Sequence, residues 1–252
     1  MRLVRFRFGD RIGTGVLDDS ETIRPLRGTF FEAPVPTGEA IPADDVRLLA
    51  PVLPSKVVAV GKNYAEHAKE MGGEVPDEPL TFLKPSTAVI GPGDPIVYPP
   101  ISERLDYEGE LAVVVGRLAR HLTLEDAARA ILGYTCANDV TLRDLQKTDD
   151  QWARAKGFDG SAPLGPWIET DLDPNDAIVR TRLNGEIRQQ ASTSEMVFGV
   201  ATLIEYITVF MTLLPGDVLL TGTPEGVGRL PDGVVVEVEV EGVGVLRNGV
   251  SA

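Results

Sequence analysis

Apolar and polar positions alternate along much of this chain, with the two-residue period of half-buried β-strands. Arg2–Phe8 and Arg11–Leu17 alternate on either side of Gly9-Asp10, a hairpin dipeptide. Pro34 to Pro54 is proline-rich with few periodic apolar positions, and reads as a linker. Lys56 to Val60 predicts a short buried strand, Asn63 to Met71 is helix-permissive, and Gly72-Gly73 stops it. The polar segment Gly72 to Pro79 reads as a mobile surface excursion. Leu80 to Lys84 and Ala88 to Ile90 predict strands, with a turn over Gly91 to Asp94. A longer apolar strand is expected over Glu108 to Gly116, then a helix from Thr123, its N-cap, to Leu132. A strand over Gly133 to Ala137 delivers Asn138-Asp139, and Ile178–Leu183 and Ile187 to Gln190 flank the hairpin signal Asn184-Gly185. Ser194 to Met211 carries the longest helical pattern. Asp217 to Leu220, Val234 to Val240 and Val243 to Leu246 predict the last strands.

Strands outnumber helices and do not alternate with them, so the expected class is α+β and mainly β rather than doubly wound. Residues 1–50 are expected to form a small β-rich domain and residues 55–252 the main one, a division that 252 residues accommodate. A net charge of −14 argues against nucleic acid or an anionic membrane as partner. No apolar stretch reaches membrane-spanning length, because the longest, Val197 to Leu214, is broken by Glu205. The alternating start lacks the apolar core of a signal peptide, and a soluble, cytoplasmic protein is the expectation. The single cysteine, Cys136, lies in an apolar segment and reads as a buried reduced thiol.

Charged residues inside apolar segments are where chemistry is to be sought. Glu108 and Glu110 are two apart on a strand, so they share a face with Ala112 and Val114. If that face is interior, two like charges need a cation between them, and with Asp139 the simplest one is a divalent metal. Oxygen donors alone suit magnesium, manganese or calcium and disfavour zinc. The alternative is that both glutamates face solvent on a one-sided sheet. His67 and Glu70, at i and i+3, can meet as a general-base pair or as a plain surface ion pair. Arg143 and Gln146 are also three apart and, with Lys156, offer donors to a carboxylate; the alternative is a set of solvated polar residues. The loop Thr221 to Gly228 has small residues for close approach to an anion but lacks a P-loop ending. It suits a turn presenting Thr223 to a small carboxylate, or a plain connection.

Several segments in order resemble the fumarylacetoacetate hydrolase family: Gly61-Lys-Asn-Tyr-Ala-Glu-His-Ala-Lys-Glu70, Phe82-Leu-Lys-Pro-Ser86, Tyr107-Glu-Gly-Glu-Leu111, Asn138-Asp139 with Arg143-Asp-Leu-Gln146, Lys156-Gly-Phe-Asp159, Gly165-Pro166, Asn184-Gly185 and Leu220-Thr-Gly-Thr-Pro-Glu-Gly-Val-Gly228. The resemblance covers about residues 55–248 and implies a mixed β-roll core and a homodimer. It implies Mg²⁺ or Mn²⁺ held at Glu108, Glu110 and Asp139, with His67 and Glu70 a water-activating dyad on a lid. Lys156 would stand near the reacting centre, with Arg143, Gln146 and Thr223 contacting the ligand. The family includes acylpyruvate hydrolases, oxaloacetate decarboxylases, and isomerases or decarboxylases of aromatic catabolism. The implied substrate is therefore a 2-oxo acid whose C–C bond is cleaved by hydrolysis or decarboxylation through a metal-stabilised enolate. A 2-hydroxyhepta-2,4-diene-1,7-dioate isomerase or decarboxylase is the alternative, and a non-catalytic small-molecule binder is the competing class.

Overall fold

The apolar run after Glu108 forms the strand Gly109–Val115, and it is buried on both faces. Its odd-numbered residues Leu111 and Val113 pack with Leu203, Ile204 and Ile207 of the helix Val200–Phe210 and with Val238 and Val240 of a second sheet. Its even-numbered residues Ala112 and Val114 pack with Val57, Ala59, Leu164 and Leu220. Burial on both sides is why this stretch reads as continuous apolar sequence rather than as alternation. The computed structural model describes residues 1–32 and 34–251.

The strand lies in the middle of a 13-stranded mixed sheet, between Ile131–Asn138 and Val218–Leu220. Lys56–Gly61 runs parallel to Val218–Leu220 and pairs on its other side with Leu80–Pro85. A five-stranded sheet packs across it, containing the Ile178–Leu183 and Glu186–Ser192 hairpin and the terminal pair Val235–Val240 and Gly244–Ser251. The architecture is α+β and mainly β. Among the described residues no helix is long and apolar enough to cross a membrane.

Three expectations are corrected, the Pro34 to Pro54 linker and the extents of two helices. The Pro34 to Pro54 stretch is not a free linker. Its short strands Val35–Pro36, Ile41–Pro42 and Arg47–Leu48 pair with Thr22–Arg27 and Arg2–Phe8, and two-residue pairings leave no periodic signal to read. The N-terminal strands also continue the main sheet, because Arg2 and Leu3 pair with Glu169 and Ile168. The helix begun at Thr123 is capped as expected, its hydroxyl accepting from the Asp126 N–H at 3.3 Å, but only Leu124–Ala127 is α-helical. A 3₁₀ turn over Ala128–Ala130 then hands the chain to the strand Ile131–Asn138. The helix expected from Ser194 starts at Val200 instead. Before it, a 3₁₀ turn over Thr193–Glu195 is closed by a Ser192–Glu195 capping box. Val197 and Phe198 then extend to donate their N–H groups to the carbonyl and side-chain oxygens of Asn63, at 2.9 and 2.8 Å.

Candidate active site

Antiparallel pairing brings the acids together. Gly109 pairs with Asn138, the Glu108 N–H donates to Asn138 Oδ1 at 2.9 Å, and the Asp139 N–H donates to the Glu108 carbonyl at 2.8 Å. Glu108, Glu110 and Asp139 are 4%, 1% and 1% exposed, which excludes the solvent-facing alternative. One carboxylate oxygen from each lies within 4.8 Å of the others.

Cations surround two of the three. Arg143 Nη2 donates to Glu108 Oε1 at 2.5 Å, and Lys156 Nζ donates to Glu108 Oε2 at 2.7 Å and Asp139 Oδ2 at 2.6 Å. Burial raises the Glu108 pKa, but Lys156 and Arg143 outweigh it and hold the carboxylate well below its usual range. Burial likewise works to lower the Lys156 pKa, yet Asp139 and Glu108 keep the ammonium above its ordinary value. Lys84 is wholly buried 2.7 Å from Asp139 Oδ1 and donates to the Ser161 carbonyl at 2.6 Å; burial pulls its pKa down.

Glu110 is different. Its hydrogen-bond donor is the Gly222 N–H at 2.7 Å, and no cation pairs with it among the described residues. Gly222 is left-handed (φ 100°), and a Cβ there would meet Asn63 Cβ at 2.7 Å, so only glycine brings its N–H this close. Burial, Asp139 and Glu108 push the Glu110 pKa well above the carboxylate range. Asp139, by contrast, is paired through both oxygens, Oδ1 with Lys84 at 2.7 Å and Oδ2 with Lys156 at 2.6 Å. An all-oxygen donor set in which one buried carboxylate, Glu110, has no cationic partner among the described residues fits a hard divalent cation.

His67 and Glu70 lie on the helix Ala65–Glu70, with Nδ1 3.2 Å from Glu70 Oε2. The Gly226 N–H donates to both Glu70 oxygens at 3.1 and 3.2 Å, so the loop after Thr221 clasps this helix. His67 is buried, at 6% exposed, while its partner Glu70 stands at the surface. A cavity of about 160 Å³ is lined by His67, Glu108, Glu110, Asp139, Arg143, Gln146, Lys156 and Thr223. Of the residues singled out in the sequence, Glu70 alone stands outside that lining, bordering an adjoining cavity.

Two expected ligand contacts are already engaged. Arg143 donates through Nε to Asp106 at 2.9 Å, through Nη1 to Gln146 Oε1 at 2.6 Å and through Nη2 to Glu108. The Thr223 hydroxyl donates to the Gly109 carbonyl and accepts from Gln189 Nε2, both at 2.8 Å. Four residues escaped the sequence reading of the site. Asn138 and Asp106 position Glu108 and Arg143, and Gln189 ties the Gly109 N–H (3.0 Å) to Thr223. Lys84 carried the one available signal, a lone lysine in an apolar strand. Gln189, in a polar hairpin strand, carried none.

Residues 56–251 match the family described as fumarylacetoacetate (FAA) hydrolase C-terminal, and residues 1–51 match one described as Rv2993c-like, N-terminal. The chain is similar to the crystal structure of 2-hydroxyhepta-2,4-diene-1,7-dioate isomerase from Mycobacterium marinum, at 46% identity and TM-score 0.92, covering 100% of this chain and 98% of that one. It is 43% identical to a mitochondrial oxaloacetate tautomerase, Fahd2a of Rattus norvegicus, over 93% of this chain and 78% of that protein. Fumarylpyruvate hydrolase from Pseudomonas aeruginosa, solved with Mn²⁺ and pyruvate, is similar at 33% identity and TM-score 0.75, covering 81% of this chain and 91% of that one.

Proposed function

This chain belongs to the fumarylacetoacetate hydrolase family, and we propose that it is an Mg²⁺- or Mn²⁺-dependent enzyme that cleaves a C–C bond of 2-oxo acids by hydrolysis or decarboxylation. The observation that carries this is the convergence of three buried carboxylates, Glu108, Glu110 and Asp139, in a cavity that His67 also lines. The Mn²⁺ and pyruvate in the Pseudomonas hydrolase support both the cation and the ligand class. We further propose a division into an N-terminal β-rich domain, residues 1–50, and a catalytic domain, residues 55–252. The two family matches divide at the same place. A cytoplasmic homodimer completes the proposal, on the family resemblance alone.

A divalent cation held by the three carboxylates supplies Lewis-acid stabilisation of the negative charge that a 2-oxo acid acquires as its C–C bond breaks. The chain's own groups do the rest. Glu70, held by the Gly226 N–H, takes the Nδ1–H of His67 and leaves Nε2 as an acceptor. His67 then removes a proton from the water that attacks the distal carbonyl. Lys156, kept charged by Asp139 and Glu108, stabilises the oxyanion that forms. Arg143 positions Glu108, Asp106 and Gln146 through three of its five N–H groups, and the remaining two are left for the substrate carboxylate. Gln146, its Oε1 held by Arg143, keeps its amide donors for the substrate carboxylate.

A second reading is proton transfer without cleavage. It is favoured by the higher identity to the relatives named isomerase and tautomerase, 46% and 43%, than to the hydrolase, 33%. Mg²⁺-loaded protein given oxaloacetate and acetylpyruvate separates the two. Pyruvate release, coupled to lactate dehydrogenase, reports cleavage; loss of enol absorbance without pyruvate reports proton transfer. No change with any 2-oxo acid removes both. His67→Ala is expected to lower acetylpyruvate hydrolysis by roughly 10²–10⁴-fold. Oxaloacetate decarboxylation, which needs no attacking water, should fall far less, and equal losses would take the water-activating role from His67.

A further inference from the structure

Lys84 is wholly buried and absent from the cavity lining, so it has no direct part in the chemistry described above. It is the single buried residue of the strand Leu80–Pro85, at the edge of the large sheet, where pairing with Val57 sets its register. Phe82, two residues earlier, shares its strand face. That face meets the carboxylate cluster twice: the Phe82 ring centre lies 5.1 Å from Lys156 Nζ, and Lys84 reaches Asp139.

Three oxygens surround Lys84 Nζ: Asp139 Oδ1 at 2.7 Å and the carbonyls of Ser161 and Val140 at 2.6 and 3.4 Å. A neutral amine would turn its lone pair on one of them, whereas an ammonium has a proton for each. Burial works against that charge, and the three oxygens hold it. With Lys84 counted, the buried acids Asp106, Glu108, Glu110 and Asp139 are matched in number by Lys84, Arg143, Lys156 and the more exposed Arg104. A divalent cation added to a matched set leaves an excess of positive charge in a site with little water to screen it. The carboxylate of a 2-oxo acid offsets part of that excess, and the negative charge the acid acquires in reaction offsets the rest.

Resting on the cation and 2-oxo acid reading above, we propose that Lys84 is a positioning residue that couples the two ligands. Its charge weakens binding of the bare divalent cation and strengthens binding of the acid to the cation-loaded protein, so the two enter as a pair. Lys84 acts through Asp139. Without Lys84, Asp139 is still held by Lys156 at 2.6 Å and by its own N–H on the Glu108 carbonyl at 2.8 Å. Loss of charge therefore outweighs loss of position.

Calorimetric titration at one pH tests both halves without turnover. Lys84→Met nearly keeps the side-chain length and removes the charge. It should bind Mn²⁺ alone about tenfold more tightly than the wild type, while the Mn²⁺-saturated variant binds oxalate about tenfold more weakly. Oxamate, of similar shape with one charge fewer, should lose less, about threefold. Lys84→Gln, which keeps an amide donor for Asp139, should show the same pair of opposite signs, and it carries the test if Lys84→Met does not fold. A merely structural role weakens both ligands together; that result, or unchanged affinities, overturns the coupling. Failure of the wild type to bind Mn²⁺ removes the cation reading and the coupling with it. Absence of pyruvate release removes only the proposed C–C cleavage and leaves the binding comparison intact.

Discussion

Asp217 and Glu110 stand at opposite ends of one strand pair, Gly109–Val115 with Val218–Leu220, and both are buried carboxylates. Asp217 accepts from the Ser55 N–H and hydroxyl at 3.1 and 2.6 Å, the Lys56 N–H at 3.2 Å, the Leu214 N–H at 2.8 Å and the Lys56 ammonium. Burial raises its pKa, but those donors outweigh burial and hold it below the usual value. Glu110 receives the Gly222 N–H at 2.7 Å, and its pKa is driven upward. A carboxylate whose donors the chain provides locks the fold. One whose donors are withheld keeps its lone pairs for something that arrives later.

The sharpest test is to neutralise each acid in turn. Glu110→Gln should lower kcat/KM of the Mg²⁺-loaded protein by about 10³-fold or more, the scale of several kcal/mol of charge stabilisation. EDTA should mimic it in the wild type, and Mg²⁺ or Mn²⁺ should reverse the chelation. Without cation, the same variant should be as stable as the wild type or more so in urea, because it relieves buried like-charge repulsion. Asp217→Asn should do the opposite, costing about 3 kcal/mol of stability with kcat/KM of the folded protein kept within twofold. If Glu110→Gln unfolds the protein while Asp217→Asn spares it, the contrast between the two acids is lost.

A smaller effect lies in the pH dependence, where the signs differ. The folded-state pKa of Asp217 lies below its unfolded value of about 4, so its contribution is complete above that pH. It is lost as pH falls through the folded value. Glu110 is raised, so in cation-free protein its ionisation penalty starts above about pH 4 and grows until the folded value is passed. Urea midpoints measured in EDTA across pH should show Asp217→Asn flattening the acid limb and Glu110→Gln flattening the limb above it. Each pKa unit is worth about 1.4 kcal/mol. Identical profiles for both variants would mean that the two carboxylates are not in opposed environments.

Much of the site was legible because its pieces are local. Glu108, just before the strand, and Glu110, within it, converge across one intervening residue, His67 and Glu70 share a helix turn, and Arg143 and Gln146 meet at i and i+3. Much of the strand order along the main domain was legible as well. The Pro34 to Pro54 stretch and the onset of the last helix were not, since pairing partners and a distant Asn63 decide them.

What the sequence determined by itself is which side chains share a face over a few residues, since covalent spacing and strand or helix period fix that directly. Whether a charged group is satisfied was decided only by the tertiary structure. Lys84 reaches Asp139 across 55 positions of chain, Gln189 reaches Gly109 across 80, and Gly222 reaches Glu110 across 112. Long-range packing settles how many donors each buried carboxylate receives, and that number separates Asp217 from Glu110.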